Sequence, residues 1–323
     1  AGEILIWSDN DTTFETGAEI DVSGGDISGD GGFVEVSGKE TVFYHGTAYG
    51  GANDGVDGTI LIDPTDIIIA NGGSYDPQAG QTFDGFGNII LQATNDITVN
   101  SAFDTNVATG NTGVNLTMEA DNNLNVNAAI TTHNADITLS ADHDGDGSGT
   151  LNIDAVVASN NGNVIFRGEQ VDINQAVNAG TGTITIAPNS NQGIFIAGGT
   201  VDNDSASRLD LSSTELGLLT AGSVNIGDTA KTGGLTVEGD LDVGTLGYDL
   251  DLLNGGNFSS TNNAFTLGSE SIDINMLGSV SITNNASNQG INLSAITSGT
   301  TTTINLNGSD NALNITGDVT TGG

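Results

Sequence analysis

Ile97-Thr98-Val99-Asn100-Ser101-Ala102-Phe103 is followed by Leu124-Asn125-Val126-Asn127-Ala128-Ala129-Ile130, by Leu151-Asn152-Ile153-Asp154-Ala155-Val156-Val157 and by Val171-Asp172-Ile173-Asn174-Gln175-Ala176-Val177. Each copy reads apolar-x-apolar-Asn/Asp-x-small-apolar. Their first positions lie 27, 27 and 20 residues apart (124−97, 151−124, 171−151). Apolar/polar alternation is the period of a strand with one face buried and the other solvated. A second strand precedes each copy: Ile89-Ile90-Leu91, Val114-Asn115-Leu116, Ile137-Thr138-Leu139 and Val164-Ile165-Phe166. Both strands recur together, so the repeating unit is a coil of two or three short strands.

A period of about 20 to 27 residues carrying Ile, Val and Leu at matched positions is what a parallel β-helix requires. Each turn of chain places like residues above like, and the aliphatic positions fill the tube. Asn100, Asn127, Asp154 and Asn174 are then expected to stack at one corner, their side chains bonding the turn backbone. At ~4.8 Å per layer, 13 or 14 coils would make a rod of roughly 65 Å. The expectation is an all-β chain forming one continuous solenoid over residues 1–323.

The rest of the chain agrees in texture. Glu3-Ile4-Leu5-Ile6-Trp7, Thr183-Ile184-Thr185-Ile186 and Thr303-Ile304-Asn305-Leu306 alternate in the same way, and Gly, Asn, Asp and Ser clusters separate such runs. No stretch keeps helical spacing beyond a turn or two. An array of β-sandwiches is the competing reading. Against it stand an aromatic content of 5%, the repeated element and only 3 prolines, since an interior parallel strand needs its amide donors. Beyond residue 200, Leu235-Thr236-Val237, Leu241-Asp242-Val243, Ile272-Asp273-Ile274, Val280-Ser281-Ile282 and Ile291-Asn292-Leu293 keep the alternation but loosen the period, and their register is not fixed by sequence. The chain opens and closes inside strand-like text, which suggests a segment of something longer.

Charge narrows the function. Lys39, Arg167, Arg208 and Lys231 are the 4 cations against 41 acids, for a formal net charge of −37. Such a chain repels nucleic acid and anionic membrane surfaces. Cys 0 removes disulfides, thiolate zinc sites and cysteine nucleophiles. No apolar run approaches the roughly 18 residues that cross a bilayer, so membrane insertion is not expected. Asp outnumbers Glu about three to one, as suits corners. The like charge would also keep a long rod dispersed.

Residues 2–70 resemble a segment of large secreted proteins of the filamentous haemagglutinin class, the exported partners of two-partner secretion systems. The resemblance is carried by Ile4-Leu5-Ile6-Trp7-Ser8-Asp9 with Thr12-Thr13-Phe14, by Gly31-Gly32-Phe33-Val34-Glu35-Val36-Ser37-Gly38-Lys39 and by Gly58-Thr59-Ile60-Leu61-Ile62-Asp63-Pro64-Thr65-Asp66-Ile67. It covers about a fifth of the chain. It implies a right-handed parallel β-helix, exported through an outer-membrane secretion pore and acting at the bacterial cell surface as an adhesin or stalk. The partner would then be a host or neighbouring-cell surface or a matrix component. Copies of the chain stacked end to end into a filament or sheath are the alternative. The segments offered for recognition are the longer insertions, residues 47–58, 75–86, 105–113 and 141–149.

The sharpest local motif is Asp142-His143-Asp144-Gly145-Asp146-Gly147-Ser148. Asp-x-Asp-x-Asp-Gly sets three carboxylates on alternate positions of a tight loop, which suits a hard oxygen-seeking cation such as Ca²⁺. The twelfth position, Glu in an EF-hand, is Ile153 here, so a neighbouring coil or Asp154 would have to supply the missing ligand. A solvated acidic loop is the plain alternative. Residues 24–32, which contain Gly24-Gly25-Asp26 and Gly29-Asp30-Gly31, look like one calcium nonapeptide and read as a flexible corner, because tandem copies are what make that motif work. His45, His133 and His143 stand apart with no paired spacing, which argues against zinc.

A β-helical polysaccharide lyase or hydrolase is the catalytic alternative. It would need a base and cationic sugar contacts, for which only Arg167 and Arg208 among arginines are present, or a carboxylate pair. Asp240 with Asp242 and Asp249 with Asp251 alternate with leucine and read as solvated strand faces. Aromatic sugar platforms are scarce, and Trp7 sits inside a strand. No catalytic residue is assigned.

Overall fold

The computed structural model describes residues 2–77, 82–196, 208–285 and 290–322. Within them the chain is a parallel β-solenoid of about 12 turns. One sheet of 13 parallel strands runs through it, from Glu3–Ser8 to Val319–Thr321. At ~4.8 Å per layer, twelve turns span roughly 58 Å. The periodicity predicts 13 or 14 coils; the difference arises because one turn is far longer than the rest.

Each ordinary turn has three faces. The long sheet forms the first. The second is built from Ile67–Ile69, Ile97–Val99, Leu124–Val126, Thr150–Ile153 and Gln170–Ile173, and the third from pairs such as Phe103–Asp104, Ile130–Thr131, Val157–Ala158 and Val177–Asn178. The seven-residue repeat is thus two strands joined at a bend.

Register follows the repeat. Ile97 pairs with Leu124, Leu124 with Leu151 and Leu151 with Val171, while Phe103, Ile130, Val157 and Val177 stack on the third face. On the first face Ile89, Leu116, Ile137, Val164 and Ile184 form one inward column. All of them are buried, and the intervening residues face out. Like-on-like stacking satisfies the strand amides and removes the aliphatic side chains from water, at about 25 cal/mol per Å² of apolar surface.

The stacked polar corner is present, with a different bonding pattern. Asn127 donates to the Asn100 side chain at 2.9 Å and Asn174 to that of Asp154 at 3.0 Å. Asn115 to Asn88, Asn152 to Asn125 and Asn161 to Asn134 repeat the motif elsewhere. An amide that both donates and accepts can continue a column coil after coil, which a link to its own turn cannot do.

The long turn explains the loosened period. Thr183 pairs with Ser223, 40 residues on (223−183). Between them the strand Gly193–Ile196 pairs forward with Leu235–Val237, and Arg208–Leu211 pairs back onto Gly193–Ile196. The second face so gains an extra parallel strand. A four-residue helix, Ser213–Leu216, then returns the chain to the third face at Leu219–Thr220, which pairs with Val177–Asn178. Regular stacking resumes, with Leu235, Phe258, Val280 and Thr302 in one column.

Corners are tight enough to require glycine where coils touch. A Cβ on Gly162 would lie 2.0 Å from the Ala135 carbonyl oxygen, whereas one on Gly51 would meet nothing nearer than 3.5 Å. Gly162→Ala is therefore expected to lower stability by about 1–3 kcal/mol in urea unfolding, and Gly51→Ala by much less. Equal effects would show that the corner yields freely.

Candidate functional site

The Asp142 loop occupies the corner between the first-face strand Ile137–Ser140 and the second-face strand Thr150–Ile153. Asp142 adopts a positive φ of 48°, as do Gly145 (71°) and Gly147 (89°), so the chain curls back on itself. The Asp142 amide donates to the Asn122 carbonyl (3.1 Å) and the His143 amide to that of Ala120 (3.0 Å), which fixes the loop to the preceding coil. The following coils hold it too. Asn189 donates from its side-chain amide to Ser140 Oγ and the Ala141 carbonyl, both at 2.8 Å, and Lys231 donates to the Asn189 carbonyl.

Asp142, Asp144 and Asp146 each present a carboxylate oxygen within 4.8 Å of the other two. Asp142 is 0% exposed, while Asp144 and Asp146 are exposed. Its Oδ1 accepts from the Gly147 and Ser148 amides at 2.9 and 3.2 Å. Its Oδ2 is buried with no hydrogen-bond partner. Burial pushes the Asp142 carboxyl up to about 6; the two amides oppose this, and the charges of Glu169 and Asp146 add to it.

Two acids missed in the sequence belong to this corner. Counting two residues on from the stacked Glu119, Ser140 and Arg167 gives Asp121, Asp142 and Glu169, one carboxylate per coil. Asp121 is raised above its ordinary value by burial and by the charges of Asp144, Asp146 and Glu119, with His143 opposing. Glu169 is buried and accepts from Ser190 Oγ at 3.0 Å. The register of the repeat, carried two residues past the strand into the corner, was the signal that would have found them. Ile153 is in the core, and Asp154 stands at the far corner bonded to Asn174, so neither fills the twelfth loop position.

The other candidates are dispersed. His133 Nε2 lies 2.9 Å from Asp104 Oδ1, His143 Nε2 lies 3.7 Å from Glu119 Oε2, and the His45 ring stacks on Phe43. The glycine-rich segment 24–32 is tied to the next coil through Gly24 to Gly51, Gly29 to Asp54 and Gly31 to Val56, so it is a bonded corner where a flexible one was expected. Arg167 pairs with Asp228 at 2.9 Å; Arg208 pairs with Asp210 at 2.9 Å and lies 4.2 Å over the Phe195 ring. Asp240, Asp242 and Asp249 are exposed and Asp251 is half-buried. Trp7 is 62% exposed on the outer side of its strand.

Of the segments offered for recognition, 105–113 contains a short helix, Thr105–Thr109, capped by the Asp104 carboxylate. Segment 75–86 sends Tyr75, Phe83 and Phe86 into the core; its residues 78–81 lie outside the described ones. In 47–58 the strand Thr47–Tyr49 stacks on the third face, leaving 50–58 as the loop. Among the described residues, no helix is long and apolar enough to cross a membrane. No family model, curated protein or solved structure matches this chain.

Proposed function

We propose that this chain is a non-catalytic structural and adhesive rod, a stalk or fibre segment of a large bacterial surface adhesin working outside the cell. The observation that carries the reading is the 13-stranded parallel sheet, whose inward aliphatic columns give a stiff body with nearest-neighbour contacts only. Length and stiffness are what a stalk supplies. Recognition then falls to the corner loops, because the strands are committed to stacking. The resemblance of residues 2–70 to filamentous haemagglutinin-type proteins supports the surface location and an outer-membrane secretion pore as export partner.

The test uses the purified chain on beads. Saturable binding to a cell surface or matrix component, lost when residues 50–58 or 141–149 are replaced by short glycine-serine turns, is the expected result. Release of oligosaccharides from soluble polysaccharides would overturn it in favour of a β-helical enzyme. Negative-stain microscopy of the same sample should give single rods of roughly 58 Å; long uniform fibres would favour end-to-end assembly instead.

A further inference from the structure

We propose that the Asp142 corner is a calcium site that fastens successive coils of the rod, with Asp142, Asp144 and Asp146 as its carboxylate ligands. The acidic loop alone would not require this. The buried partner-less Oδ2 of Asp142 does, since a carboxylate removed from water with one oxygen unsatisfied is costly unless a cation or proton reaches it. The column of Asp121, Asp142 and Glu169 stacks further negative charge one layer either side. The nearest cationic groups are engaged elsewhere, Arg167 with Asp228 and Lys231 with the Asn189 carbonyl.

Calcium suits the place better than magnesium. It accepts six to eight oxygens in irregular geometry, whereas magnesium demands a near-ideal octahedron and keeps its waters. A loop wrapped by Gly145 and Gly147 supplies oxygens from close sequence positions, and water completes the shell. Because the loop is bonded to Ala120 and Asn122 on one side and to Asn189 on the other, filling it would tie the preceding coil to the two that follow. The inference is independent of the adhesin reading, since binding is measured on the chain alone.

The experiment is calorimetric titration of the chelator-treated chain with CaCl2 in about 0.15 M salt, where diffuse attraction is screened, paired with thermal unfolding. The expected result is one saturable site with Kd of about 10⁻⁴–10⁻³ M, as in extracellular modules, and a midpoint raised by several degrees. Asp142→Asn should abolish both effects, yet melt no lower than wild type in chelator, because it removes a buried charge. The double variant Asp144→Asn/Asp146→Asn, altered only at exposed side chains, should also lose the site and keeps the test decisive if Asp142→Asn fails to fold. An equal calcium response in wild type and the double variant would show diffuse screening of the −37 charge and overturn the site. So would the absence of a wild-type response at about 10 mM calcium, ten times the weak end of that range.

Discussion

Phe83→Ala is expected to destabilise the rod by about 3–5 kcal/mol, with the loss confined at first to the early coils. Phe83 is fully buried, its ring centroid 5.0 Å from that of Tyr44 and 4.6 Å from that of Tyr75, on which it stacks. Phe14 extends the cluster from Tyr44 at 5.0 Å and Phe103 from Tyr75 at 5.7 Å. Aromatic pairs of this geometry contribute about 0.5–1.5 kcal/mol beyond area burial. The phenols are satisfied as well: Tyr44 donates to the Thr82 carbonyl at 3.0 Å, and Thr82 Oγ1 donates to the Tyr75 oxygen at 3.0 Å. Removing the central ring leaves a cavity that several coils share.

Because solenoid coils contact mainly their neighbours, the damage should stay local. Hydrogen exchange is expected to show lost protection in the strands Thr41–Tyr44, Thr47–Tyr49 and Ile67–Ile69, with Thr183–Ala187 unchanged. Phe43, on the outer side of its strand and 39% exposed, is the control. Phe43→Ala should shift stability by no more than about 0.5 kcal/mol. Matching losses for the two variants would mean that the cluster is not a structural centre.

That cluster also marks where sequence reading stops. The stacking of Ile97, Leu124, Leu151 and Val171 was legible because identical residue chemistry recurs at a near-constant interval, and an inward column tolerates little else. Phe14, Tyr44, Tyr75, Phe83 and Phe103 recur at no fixed interval. They meet because early coils are longer and looser, and large rings fill the wider tube. The strand Arg208–Leu211 was illegible for another reason: the chain steps back one layer to lay it beside Gly193–Ile196, and periodicity assumes steady advance. At the candidate site, the loop acids were legible as a local motif. Asp121 and Glu169 were not, since their approach depends on register across coils.

The acidity has a local side that follows from the same stacking. A residue at a corner meets its counterparts one layer above and below, so an Asp acceptable in one coil becomes a repelling column when repeated. Asn interrupts such columns by donating as well as accepting, as between Asn127 and Asn100. At Asp121, Asp142 and Glu169 no amide intervenes, and Asp63, nearer the start, is raised by burial and by the charges of Glu35 and Asp121. The first-to-second-face corner is thus where this chain leaves like charges unrelieved.

Glu215→Ala should cost roughly 3–5 kcal/mol, an effect of similar size from one buried carboxylate. Glu215 is 4% exposed and sits in the helix Ser213–Leu216 that follows the extra strand. Its Oε1 accepts from the Ile173 amide at 2.9 Å and its Oε2 from the Ser212 amide at 2.7 Å, while its own amide donates to Ser212 Oγ at 3.2 Å. The side chain is therefore a capping box and also an acceptor for a second-face strand 42 residues away. Alanine would strand both amides in the interior, and a hydrogen bond to a charged group is worth about 1.5–3 kcal/mol. Glu215→Gln should recover only part of the loss, because its NH2 group must face one of the two donors. Glu238→Ala, at an exposed acid 3.9 Å from Arg208, should change little. Urea unfolding gives the magnitude, and exchange at the Ile173 amide gives the place: protected in wild type, rapid in Glu215→Ala. A loss below about 1 kcal/mol with Ile173 still protected would mean that another acceptor replaces the carboxylate, and that the extra strand is anchored without it.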